Sequence, residues 1–112
     1  MTAHSLPNAR GHFDEIWRAG DGLVIAGWVF LPEQPLDRVA IRVLEDGAGQ
    51  VTVGLTDRPD IASHIPWSAH AARSAFRVVV PGVRNDRGVV ELTAYGKGQP
   101  RAAMRSWYDL RL

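Results

Sequence analysis

The chain has 112 residues, no cysteine, and a formal net charge of +1 from 13 basic and 12 acidic side chains. That length is one domain, large enough to bury a core unaided. The missing cysteines exclude a disulfide framework, a thiolate zinc site and a cysteine nucleophile, and the balanced charge calls for no nucleic-acid-binding stripe.

The opening "MTAHSLPNARGH" has neither a basic n-region nor an apolar h-region, and no stretch is long enough to span a bilayer. The expectation is a cytoplasmic module without membrane insertion, either free-standing or a part of a larger envelope-associated protein. Residues 1–11 read as a flexible N-terminal segment and residues 12–112 as a single domain.

The first predicted strand is "HFDEIWR", 12–18, with Asp21-Gly22 as the tight turn after it. "LVIAGWVFL", 23–31, is apolar on both pleat faces. Leu23, Ile25, Val29 and Leu31 lie on one face, and Val24, Ala26, Trp28 and Phe30 on the other. Such a strand sits centrally, one face in the core and the other covered by something else. "RVAIRVLE", 38–45, alternates, and Asp46-Gly47 begins its turn; "QVTVGLT", 50–56, alternates again. "AFRVVVP", 75–81, "GVVELTAYG", 88–96, and "RAAMRSWYDL", 101–110, complete the set.

Between 56 and 75 the pattern changes. Asp57 is placed to accept from a backbone N–H, Pro59 suits a first helical turn, and Asp60 adds negative charge near that N-terminus. Ile61 and Ile65, four apart, fall on one face and plug the end of the sandwich. Pro66 stops the turn, and Ser68 caps a second one. The whole therefore reads as an all-β, seven-stranded antiparallel β-sandwich of immunoglobulin or fibronectin-III-like arrangement, with one or two short helical turns in the 57–74 connection. A small closed barrel is the alternative.

Gly27-Trp28, Asp46-Gly47, Arg58-Pro59-Asp60-Ile61-Ala62 and Ala75-Phe76-Arg77 together resemble small β-sandwich modules appended to bacterial glycosyltransferases and envelope-linked proteins. The likeness covers about residues 13–107, with Ala75 where the family often has glycine. It implies an accessory domain without catalytic residues.

The candidate chemistry is thin. Asp60, His64 and His70 offer metal ligands on paper, but Pro66 interrupts their geometry and a zinc site needs three or four ligands with a second shell. A triad from Ser63 or Ser68, His64 or His70, and Asp57 or Asp60 would crowd into one loop with no nucleophile elbow. Asp14 and Glu15 are adjacent, so strict alternation sends them to opposite faces. Arg58 either serves a sugar or carboxylate, or folds back on Asp60, Asp57 and loop carbonyls.

Four tryptophans are many for this length. Trp28 is assigned to the core. Trp17 and Trp107 lie in the first and last strands, which neighbour each other in many sandwiches. Trp67 follows Pro66, where burial is least assured. Arg101, Arg105 and Trp107 share a face of the last strand, as a solvated edge or a docking surface. The sequence thus points to a non-catalytic recognition module for a glycan or a neighbouring domain, with Trp67, Arg58, Trp107 and Arg105 as ligand-binding candidates and no cofactor. The alternative is a protein-interaction module, a homodimer through an edge strand or an apolar sheet face.

Overall fold

The computed structural model describes residues 2–4, by backbone alone, and 9–111. They form a two-layer, all-antiparallel β-sandwich. One sheet has the order β2-β3-β7-β6, built from β2 (Arg10–Ala19), β3 (Gly22–Phe30), β7 (Arg73–Val80) and β6 (Thr56–Asp57). The other has the order β9-β8-β4-β5, built from β9 (Gln99–Asp109), β8 (Arg87–Gly96), β4 (Arg38–Val43) and β5 (Val51–Gly54). A short β1 (Thr2–His4) adds a fifth strand beside β9, pairing with Ala103–Arg105. These four-stranded sheets make eight strands where the sequence pattern predicts seven, and β1 makes nine. The additions, β1 and β6, are too short to show a period. β1 and the first residues of β2 fall in the segment that sequence alone sets apart as flexible.

The first turn differs in detail from expectation. Ala19 pairs with Gly22, so the first hairpin turns on Gly20-Asp21, and Gly20 (φ 60°) supplies the left-handed residue. The β8–β9 hairpin turns on Lys97 (φ 54°) and Gly98 (φ 76°), positive at both central positions as a two-residue hairpin favours.

The inter-sheet core follows the expected faces. Leu23, Ile25, Val29 and Leu31 meet Val39, Ile41, Val43, Val90, Leu92, Ala94, Ala102 and Met104 from the opposite sheet. Phe13 meets Phe76 edge to face at 5.8 Å. β3 lies between β2 and β7, and its second apolar face is covered as predicted, but in three separate ways. Phe30 is buried under Ile61 and Ala71, with Trp28 and Ile65 packed alongside. Ala26 pairs laterally with Glu15 and Arg77, whose side chains join over it through a 2.8 Å ion pair. Val24, paired with Trp17 and Val79, is only 4% exposed because those two neighbours stand beside it.

The 57–74 connection therefore lies on the outer face of the β2-β3-β7-β6 sheet, and not over the end of the two sheets as the sequence suggests. It holds α1 (Pro59–His64) and a single 3₁₀ turn at Ala69–Ala72. Trp28 belongs to this outer cluster and is half-buried there, outside the inter-sheet core. Trp17 and Trp107 stand on different sheets, facing opposite ways. Asp57 is strand, the N-cap of α1 is Arg58, and neither it nor Ser68 makes a side-chain cap.

β2 carries a bulge between Phe13 and Glu15. The extra residue, Asp14, breaks the alternation. Asp14 bonds to Arg58 and Glu15 to Arg77, both on the outer face, so the two carboxylates do not point to opposite faces. Across from the bulge the backbones crowd. A Cβ on Gly27 would fall on the His12 carbonyl oxygen and lie 2.9 Å from Phe76 Cζ. Backbone cannot yield as a side-chain tip does, so Gly27→Ala is expected to destabilise by roughly 2–3 kcal/mol, read as a lowered urea midpoint. An unchanged midpoint would mean that the bulge does not hold β2 and β3 this close.

Candidate functional site

The four residues nominated by sequence separate into two pairs on opposite faces. Arg58 and Trp67 lie with α1 on the β2-β3-β7-β6 sheet. Arg105 and Trp107 lie on the outer face of the other.

Arg58 is fully engaged. Its Nε and NH2 donate to the two oxygens of Asp60 at 2.7 and 3.0 Å, and its NH1 donates to Asp14 at 2.7 Å. Of the two readings of this arginine, folding back on Asp60 is the observed one. Asp14 adds a tie from the connection to β2 that no local spacing reveals. The hydrogen bonds from Arg58 hold the Asp60 carboxyl below the ordinary aspartate range. Trp67 is 60% exposed, tilted against Phe30 at 6.3 Å, with the Arg10 guanidinium 5.4 Å from its ring centre. Trp28 and Phe30 stack at 6.0 Å. This pair thus pins the connection and caps an aromatic row. His64 and His70 share no ligand set with Asp60: among the described residues no group of three or more His, Asp or Glu side chains could hold a metal.

Arg105 is also tied. It and Arg42 flank Glu91 across three strands, with NH2 contacts of 2.7 and 2.6 Å. Burial raises the Glu91 carboxyl, the hydrogen bonds from Arg42 and Arg105 lower it, and the net displacement is downward. Two residues along, Trp107 is different. It pairs with Val89, beyond Thr2, whose partner is Arg105, and is 80% exposed. Leaving an indole in water forgoes burial worth on the order of 3 kcal/mol.

Two depressions meet at Trp107. One, of about 640 Å³, is lined by Arg87, Gly88, Trp107, Tyr108 and Asp109. The other, of about 260 Å³, is lined by Leu44, Glu45, Asn85, Arg87, Gly88, Val89 and Trp107. The larger lies within the volume range of small-molecule sites. Asp109 is neutralised by Arg111, whose Nε and NH2 donate at 3.0 and 2.8 Å, and is held well below the usual carboxylate range. The Arg87 guanidinium, by contrast, makes no ion pair or hydrogen bond among the described residues.

The surrounding loops are cross-tied. Asp46 accepts from the Arg84 and Asn85 N–H groups at 2.9 and 2.8 Å, joining the β4–β5 turn to the β7–β8 turn. Arg18 donates to the Val83 and Asn85 carbonyls and to Asp86. The Tyr108 hydroxyl donates to the Asn85 carbonyl at 3.0 Å, and burial pushes its pKa up.

Sequence reasoning found Trp107 and missed Arg87, Asn85, Glu45 and Asp109, which read as turn and end residues. Their proximity follows from the pairings Val89–Trp107 and Arg87–Asp109. The cluster "VRNDRG" was the available signal. Compared with protein-family models, curated proteins and solved structures, the chain matches none. No helix among the described residues is long and apolar enough to cross a membrane.

The Arg58 tie sets a pH dependence. Asp60 has a lowered folded pKa, so its stabilising contribution is present above the ordinary aspartate range and is withdrawn as pH falls through the lowered value. On acidification the NMR amide resonances of Ala62 and Ile65 should shift before those of Ala94 and Ala102, which pair in the core away from any carboxylate, and Asp60→Asn should show the shifted positions at neutral pH. Simultaneous loss of both sets would refute a separately held connection.

Proposed function

We propose that this chain is a non-catalytic recognition module, an immunoglobulin-like sandwich that binds carbohydrate on the outer face of the β9-β8-β4-β5 sheet. The observation that carries the reading is Trp107, 80% exposed beside a depression of about 640 Å³ that contains Arg87 and Asp109. A flat indole suits the apolar face of a sugar ring, while planar guanidinium and carboxylate groups suit its hydroxyls. The sheet orders β2-β3-β7-β6 and β9-β8-β4-β5 support the immunoglobulin-like arrangement. The resemblance to modules appended to glycosyltransferases points the same way.

Because Trp107 is so exposed, its removal separates binding from folding. Trp107→Ala should leave the unfolding free energy from a urea titration within about 0.5 kcal/mol of the parent. It should also abolish the quenching of tryptophan fluorescence by glycans that bind the parent on an array. A parent chain that binds no glycan would overturn the proposal.

A second reading, a protein-interaction module, has its own observation on the opposite face. Trp17 and Val79, 43% and 53% exposed, stand on either side of Val24. Light scattering coupled to size exclusion should then give a dimer that Val79→Glu dissociates. A monomer at all concentrations would remove the homodimer.

A further inference from the structure

The depressions on either side of Trp107 are not independent. Arg87, Gly88 and Trp107 line both. Arg87 and Trp107 therefore form a shared ridge, with Asp109 on one flank and Glu45 and Asn85 on the other. A single ring resting on one side of the indole would leave the second depression unused.

The flanks differ in charge. On the larger side Asp109 is bound by Arg111 through two side-chain bonds of 3.0 and 2.8 Å, and Arg87, its cross-strand partner, adds only a longer-range attraction, so the Arg87 guanidinium keeps its hydrogen-bond donors for a ligand. On the smaller side Glu45 makes no ion pair among the described residues and lines a groove shared with Arg87 and Asn85. The first flank suits a carboxylate, which an arginine recognises in its own plane. The second suits a neutral ring offering hydroxyl donors to Glu45.

Resting on the recognition reading above, we infer that the ligand is an acidic oligosaccharide of at least two rings that straddles Trp107, with a uronate on the Asp109 side against Arg87 and a neutral sugar on the Glu45 side. Two linked rings engage the two depressions as one ligand, the second at high effective concentration. The uronate contact is exposed and so is weakened by salt.

The test is a fluorescence titration of the full chain with four probes. They are a tetrasaccharide alternating glucuronate with a neutral sugar, its carboxyl-reduced counterpart, and the two monosaccharides. The acidic tetrasaccharide should bind at least tenfold tighter than either the reduced form or the monosaccharides, with the margin shrinking at high salt. Arg87→Met should erase the acidic-over-neutral margin while retaining residual tetrasaccharide binding, and Glu45→Gln should weaken both tetrasaccharides alike. Neither side chain makes a hydrogen bond or ion pair among the described residues, so both variants should keep the parent's melting temperature. Equal affinity for acidic and reduced tetrasaccharides, or for monomer and tetramer, would overturn this inference and leave carbohydrate recognition standing. Absence of binding by every probe, together with an empty glycan array, would overturn both.

Discussion

The constraint on which this structure depends is a central strand with two apolar faces. β3 cannot leave Val24, Ala26, Trp28 and Phe30 in water without forfeiting much of the burial a domain of this size relies on. The inner face is answered once, by the opposite sheet. The outer face is answered piecemeal, by the α1 segment over Phe30, the Glu15–Arg77 ion pair over Ala26, and Trp17 with Val79 around Val24. The last of these covers leaves apolar atoms of its own exposed, which is why that side keeps a patch a partner protein could use.

The same demand explains the connection between β6 and β7. Its hydrophobic side chains are directed by the outer face of β3, and two arginines tie it to the bulged strand β2: Arg58, which also reaches its own segment, and Arg10, which lies over Trp67. The bulge, the glycine opposite it and the arginine tie therefore form one local solution. An inserted Asp14 re-aims a carboxylate outward, Gly27 admits the backbone that the insertion displaces, and Arg58 joins the carboxylate to α1.

Much of this was legible in the sequence, and what was not has a common cause. The two faces of β3, the strand alternation in β4 and the short helical turns follow from local periodicity, and the structure reproduces them. Asp60 as a partner of Arg58 was legible because the two flank a proline. Asp14 was not, because the period-two rule has no way to foresee an extra residue and the partner lies 44 positions away. Trp107 stood out by composition alone. Arg87, its neighbour in the groove, did not, because their proximity comes from cross-strand register, which no local pattern encodes. The docking face of the connection was missed for a related reason: its two isoleucines say that it needs an apolar partner, not which of several it will find.

The loops bordering Trp107 are stapled to one another through Asp46, Arg18 and the Tyr108 hydroxyl. On the recognition reading proposed above, such a rim has little conformational freedom left to lose to a ligand. Association there would proceed with small reorganisation, close to lock-and-key, so discrimination among guests would appear chiefly in how slowly the well-matched ones depart.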